Sequence, residues 1–449
     1  MIRLSTSSTS LWFRWTVHLS LIFSIAIGSI LSAQAQDKKF VPNYDEAQVG
    51  KFELPPLWSQ TPPSDPAELN RAWQVRRGEL LQLFAEEMFG HAPAQSARLE
   101  WKSVESGAAF DGAAHRQQIR VTLSTEAGSV PIDLLIYSPA KAAANQTPCT
   151  TFLGLNFRGN HAEVIDPAVL LPTSWVPESK DGTSENHRAT EKGRGSQSHR
   201  LPVEMIVASG CAVATAYYGD IDPDFDDGFA NGVHQLFPEH QPGAGHPNRW
   251  GSIAAWSWGL SRLMDVLQEV PQVAKERVIV FGHSRLGKTS LWAGATDPRF
   301  AGVISNDSGC GGAAPSRRNF GESVARINNS FPHWFCHNFR KYNDNVAALP
   351  IDQHQLLALT APRLLHVASA SEDLWADPHG EFLSTVAASP IFEQLGVGGL
   401  KIDQFPAPDE SSIGHVSYHL RAGEHDLAPW DWQQYLQSAK TLNEPAKSK

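Results

Sequence analysis

Val278-Ile279-Val280-Phe281-Gly282-His283-Ser284-Arg285-Leu286-Gly287-Lys288-Thr289 is the stretch from which the rest of the chain is read. Its β-branched and aromatic residues break at a glycine, and helix-forming residues follow. The pattern predicts a strand, a sharp turn carrying a serine, and a helix. Such a turn is strained, so a glycine beside it relieves crowding, and it holds the serine Oγ out at the carboxyl end of a sheet. Ser284 is therefore the candidate nucleophile. The pattern departs from G-x-S-x-G, because Leu286 stands where the second glycine belongs and Gly287 follows one residue later. G-x-S-x-x-G alone does not separate a nucleophile from an ordinary turn serine, so the surrounding chain must carry the reading.

On the amino side, residues 250–269 have apolar positions at helical spacing. Residues 211–217 read as a buried strand ending at Tyr218-Gly219-Asp220, and 150–156 as a strand feeding Phe157-Arg158-Gly159-Asn160-His161. On the carboxyl side, 300–305 is a strand ending at Asn306-Asp307, and 363–370 one ending at Glu372-Asp373-Leu374-Trp375. Strands separated by helices imply a mostly parallel sheet with helices on both faces and loops converging on one edge, the α/β-hydrolase architecture. The turn after residue 156 is where a second oxyanion donor is expected. Farther out lie an antiparallel pair (115–123 and 130–137 around Ala127-Gly128), a helix over 65–88 and a proline-rich arm over 37–63. Residues 163–200 and 221–248, polar and rich in Gly, Asp and Pro, read as insertions, so 36–449 is expected to be one catalytic domain with an arm.

The 449 residues, 41% hydrophobic and 19% charged, suffice for a large core. A formal net charge of −10 without a basic run excludes nucleic acid and anionic membrane as partners. Arg3 and Arg14, an apolar segment over 17–31 and Ser32-Ala33-Gln34-Ala35 have the order of a signal peptide, with cleavage expected after Ala35 and export to the periplasm or beyond. Cys149 and Cys211 read as buried thiols; Cys310 and Cys336 flank a glycine-rich loop and are either free or paired. Cysteine and histidine spacing shows no zinc signature, so no metal or cofactor is called for.

A serine nucleophile needs a base, and the base an acid to fix its tautomer; on this fold they follow in the order Ser, acid, His. His425 follows a glycine turn and precedes a helix start, as a loop-borne base must, whereas His415 and His419 lie on a strand-like run suited to packing. Asp307 and Asp373, both at strand ends, are the candidate acids, and spacing does not rank them. Asp377 is a third candidate, although Asp377-Pro378 reads as easily as a helix start.

Taken together, Gly282–Lys288, Leu155-Asn156-Phe157, Gly159-Asn160-His161, Ala255-Trp256-Ser257-Trp258-Gly259-Leu260-Ser261-Arg262, Ser305–Gly312, Trp375-Ala376-Asp377-Pro378 and Gly423-Glu424-His425-Asp426 resemble a bacterial glucuronoyl esterase of carbohydrate esterase family 15. The resemblance runs in order from about residue 65 to 436. It implies a serine esterase that cleaves the ester between a glucuronic acid branch of xylan, often 4-O-methylated, and an aromatic or aliphatic alcohol of lignin; separately, a monomer is expected. Position by position, it implies Ser284 as nucleophile, His425 as base and Arg285 as oxyanion stabiliser. It also implies Lys288, Glu322 and Trp375 as contacts to the uronic acid. The family's acid after the strand following the elbow is often glutamate, where this chain has Asp307, and some bacterial members carry an aspartate matching Asp373. His283 stands where fungal members have a disulfide-bonded cysteine. An acetyl xylan esterase or broad carboxylesterase on the same fold is the alternative.

Overall fold

In the computed structural model, residues 40–243 and 245–443 are described, so the expected signal peptide lies outside the described residues. The elements that position the site are, in chain order, helix α1 (Pro66–Phe84), strands β1 (Arg98–Ala109), β2 (Ala114–Thr125), β3 (Gly128–Pro139), β4 (Cys149–Asn156) and β5 (Ala212–Tyr217), helix α2 (Ser252–Leu267), strand β6 (Val273–His283), helix α3 (Arg285–Thr296), strands β7 (Gly302–Asn306) and β8 (Leu364–Ala370), helix α4 (Pro378–Gln394), strands β9 (Glu410–Ser412) and β10 (Val416–Arg421), and helix α5 (Pro429–Lys440). They form a ten-stranded sheet in the order β1-β2-β3-β5-β4-β6-β7-β8-β10-β9. The six strands from β5 to β10 in that order are mutually parallel; β1, β2 and β3 extend one side antiparallel, and β9 closes the other antiparallel.

The unbroken apolar run of β6 follows from burial on both faces. Val278 and Val280 enter one core cluster, with α1, α2 and α3 through Phe84, Trp256 and Trp292; Ile279 and Phe281 enter the other, under Trp432 and Tyr435 of α5. Each such fully buried side chain contributes about 1.5–3 kcal/mol. Because side chains alternate, a one-residue slip of β6 would exchange the two faces and move Ser284 off the sheet edge.

Strand β1 is absent from the sequence expectations. Its residues are exposed on both faces for most of its length and its pairing with β2 shifts register between Ser103 and Glu105, so the alternation that marks a half-buried strand never develops. The expected helix over 65–88 ends its α-helical part at Phe84 and continues as a π-helical turn, Ala85–Phe89. The arm before α1 is stitched to distant chain. Gly321 N donates to Asn43 O at 2.8 Å, Glu46 pairs with Arg318 at 2.7 Å, and the carbonyls of Pro55 and Pro56 accept from His354 and Gln355 at 2.8 and 2.9 Å. No described helix is long and apolar enough to cross a membrane.

Candidate functional site

Asn156, Tyr217, His283, Asn306, Ala370 and Arg421 end parallel strands, and the next residues in the chain carry nearly all the candidate chemistry. Ser284 is the residue between β6 and α3, at φ 58 and ψ −128. A non-glycine residue held there stores about 1–3 kcal/mol of strain, which persists because neighbours fix it. Its N–H donates to Asn306 O at 2.8 Å, and its carbonyl accepts from Gly287 N at 2.8 Å and Lys288 N at 3.2 Å.

The glycine spacing now has a physical account. A Cβ on Gly282 would lie 1.9 Å from Leu286 O, and one on Gly287 would lie 2.9 Å from Ser308 Cβ and 3.1 Å from Asn306 O. Leu286 instead points into the core, so the second glycine is needed where the helix crosses the end of β7, at 287. Gly282→Ala should cost roughly 3–5 kcal/mol in denaturant unfolding and remove turnover; wild-type stability in that variant would refute the account.

Asp373, on the loop after β8, accepts from His425 Nδ1 at 2.5 Å. Its side chain is nearly buried, while that of His425 is 41% exposed. The His283 ring, one residue before the elbow serine, lies 4.5 Å from the His425 ring between centroids, which places His425 beside the elbow. Asp307 is engaged differently: Oδ1 accepts from Ala370 N at 2.7 Å and Oδ2 has no hydrogen-bond partner. Arg421 Nη2 and His283 Nδ1 each stand 3.9 Å from that oxygen. Burial pushes the Asp307 carboxyl well above the usual range, and Asp373, Glu381 and Asp431 add to the shift while Arg421 opposes it. Burial likewise drives the His283 pKa well below its ordinary value, and its Nδ1 lies 2.6 Å from Asn306 Oδ1. Of the two acids left open by spacing, Asp373 is thus the one bonded to His425, with Asp307 behind it.

Ligand-type atoms of Asp307, Asp373 and His425 all fall within 4.8 Å of one another, the one such group of three or more among the described residues. With Nδ1 donating to Asp373, however, the imidazole has no lone pair there for a cation.

The His425 loop is fixed from below. Arg421 donates to the carbonyls of Ala422, Glu424 and Asp426 at 3.0, 2.7 and 3.0 Å, and Arg200 holds the Asp426 carboxylate at 2.6 Å. His419 is buried between His366 at 2.9 Å and Asp431 at 2.8 Å. Asp377 caps α4 through Gly380 N at 2.9 Å and binds Arg318 at 2.8 Å.

Arg285 opens α3 and pairs with Asp224, whose carboxylate also accepts from Tyr218, His333 and Trp334. Burial works to raise the Asp224 carboxyl, but His333, Arg285 and Trp334 together hold it well below the usual carboxylate range. One helical turn on, the buried Lys288 donates from Nζ to Ser308 O at 2.5 Å. Burial lowers the Lys288 pKa and raises that of Glu322, and each opposes the other's shift as a charged neighbour. Glu322 N donates to Trp375 O at 3.1 Å, Trp375 also acts to lower the Glu322 carboxyl pKa, and Trp375 is 36% exposed. Lys288, Glu322 and Trp375 therefore belong to one wall.

Several contributors carried no sequence signal. Asp224 is one of four aspartates within six residues, and nothing in the string separates it from Asp222, Asp226 and Asp227. Glu381 looked like an ordinary helix residue. It is fully buried and accepts from Ser308 N and Gly309 N, both at 2.9 Å, and from Ser369 Oγ at 2.6 Å, tying the ends of β7 and β8 together. The bridge weighed for Cys310 and Cys336 is absent: all four cysteines are free, and Cys336 Sγ instead lies 3.8 Å from Glu86 O. Cys310 sits in a separate turn, bridged to Ala314.

A family model described as glucuronyl esterase of fungi matches residues 207–396. A carbohydrate esterase from an unknown prokaryotic organism is 44% identical over 405 residues, 90% of this chain and 92% of its own length. Among solved structures, a promiscuous CE15 esterase from a marine bacterial metagenome superposes with TM-score 0.81 at 44% identity, over 89% of this chain and 100% of that one. A glucuronoyl esterase from Solibacter usitatus superposes with TM-score 0.79 at 41% identity, over 88% of this chain and 99% of that one. With such similarity along nearly the whole length of its relatives, the chain belongs to the glucuronoyl esterases of carbohydrate esterase family 15.

Proposed function

We propose that this chain hydrolyses esters of (4-O-methyl-)glucuronic acid, as in lignin–xylan cross-links, through an acyl-enzyme on Ser284. The observation that carries the reading is a strained serine beside a His425–Asp373 pair, with Lys288 and Glu322 buried close by. His425, its Nδ1–H held by Asp373, takes the Ser284 proton as Oγ attacks the uronoyl carbonyl. Arg285 stabilises the tetrahedral oxyanion. As that intermediate collapses, the carbonyl–alkoxy bond breaks and the alcohol leaves with the proton from His425. Water, deprotonated by His425, then attacks the acyl-enzyme; collapse releases the uronic acid and returns the proton to Ser284. Lys288 and Glu322 hydrogen-bond sugar hydroxyls, and the Trp375 indole packs on the sugar. Asp307 sets the field behind Asp373 without bonding to His425. A wall polymer as substrate fits the export expected from residues 1–35.

A broad carboxylesterase is the second reading, favoured by one relative described as promiscuous. Hydrolysis of benzyl glucuronate beside an acetyl ester of similar reactivity separates the two. We expect kcat/KM at least about 10²-fold higher for the glucuronate, since buried polar groups in a site are left unpaired by a ligand lacking the matching hydroxyls. Equal rates would leave Lys288, Glu322 and Trp375 idle and sink the uronate assignment.

A further inference from the structure

We propose that Asp224, from the insertion after β5, is a positioning residue that locks the Arg285 guanidinium beside Ser284. The inference rests on the reading of Arg285 as oxyanion stabiliser. A carboxylate offers about four lone-pair sites, and the Asp224 side chain, 4% exposed, has all four occupied. Oδ1 accepts from His333 Nε2 at 2.9 Å and Trp334 Nε1 at 2.7 Å; Oδ2 accepts from Tyr218 Oη at 2.9 Å and from Arg285 Nη1. The three partners other than Arg285 come from two different parts of the chain, so the carboxylate has no freedom to follow a moving arginine.

The rest of the guanidinium is confined by rings. Its central carbon lies 4.8 Å from the centroid of Trp334 and 5.7 Å from those of Phe157 and Phe331. Phe331 and Trp334 are themselves stacked at 3.8 Å with 4° between planes, so that wall is rigid. Rings confine the arginine but do not choose its rotation. One charged edge contact does, and Asp224 is the partner that supplies it. The side chain thus reaches its working orientation before substrate arrives, as preorganised oxyanion stabilisation requires. On this account the aspartate-rich insertion acts on the chemistry without touching the substrate.

The experiment is a double-mutant cycle on the full chain with benzyl glucuronate, measuring kcat and KM for Arg285→Ala, Asp224→Asn and the double variant. Arg285→Ala is expected to lower kcat by about 10²–10³. Asp224→Asn is expected to lower kcat about 10- to 100-fold with KM within about threefold, because its amide cannot accept from all four donors. In the Arg285→Ala background it should change kcat by less than about twofold, since nothing remains to be positioned. A purely structural aspartate would instead lower activity by the same factor in both backgrounds, and that result, or wild-type kcat in Asp224→Asn, overturns the proposal. Wild-type kcat in Arg285→Ala overturns the oxyanion reading instead. Should Asp224→Asn fail to fold, His333→Phe removes one donor to Asp224 Oδ1 while keeping a ring there, and the same contrast between backgrounds decides.

Discussion

Ser284→Ala is expected to lower kcat on a glucuronate ester by about 10⁵–10⁶-fold and to abolish labelling by a serine-directed phosphonate, with binding of the uronic acid product retained. The magnitude is that of removing a nucleophile whose partners then have nothing to act on, leaving only oxyanion and binding contributions. Retention of binding follows because Lys288, Glu322 and Trp375 stand on other turns and loops of the fold. Turnover within about tenfold of wild type would mean that the strained serine is not the attacking group.

The second large effect separates the two acids. Asp373→Asn should reduce kcat by about 10³–10⁴, because an amide can present its NH2 to His425 Nδ1, favour the wrong tautomer and leave the imidazolium without its counter-charge. Asp307→Asn should reduce it about tenfold or less, since a retained Oδ1 still accepts from Ala370 N and the changed atom is the one without a hydrogen-bond partner. Steady-state kcat for both variants, with circular dichroism to confirm folding, checks this. Equal losses would show that the carboxylates share the role.

The parts of this site that the sequence disclosed are those that alter local pattern. The β6 run is continuous because it is buried on both faces, and Gly282 and Gly287 mark the elbow because the backbone leaves no room there for a Cβ. His425 stood out through the glycine before it, while Asp307 and Asp373 each followed a strand and looked alike. What separates them is whether the His425 imidazole swings to one or the other, a long-range property that no residue spacing encodes. Asp224 and Glu381 were invisible for a related reason. Each acts through partners from elsewhere in the chain, and aspartate in a polar loop or glutamate on a helix is common. Strand β1 was missed because an edge exposed on both faces imposes no hydrophobic period.

The arm also has a consequence for the order of events during synthesis. Glu46 meets Arg318 across a sequence separation of 272 residues, and Pro55 meets His354 across 299. The arm leaves the ribosome before any of these partners exists, so it waits while α1 and the first strands are made. Closing so long a loop costs only slightly more than closing a moderate one, so the delay weighs on kinetics far more than on final stability. Segment 318–322, which carries Glu322, gains its contacts to Asn43 and Glu46 only when the earliest and a much later part of this body meet, so the bracing of the wall that holds Glu322 is completed late in folding.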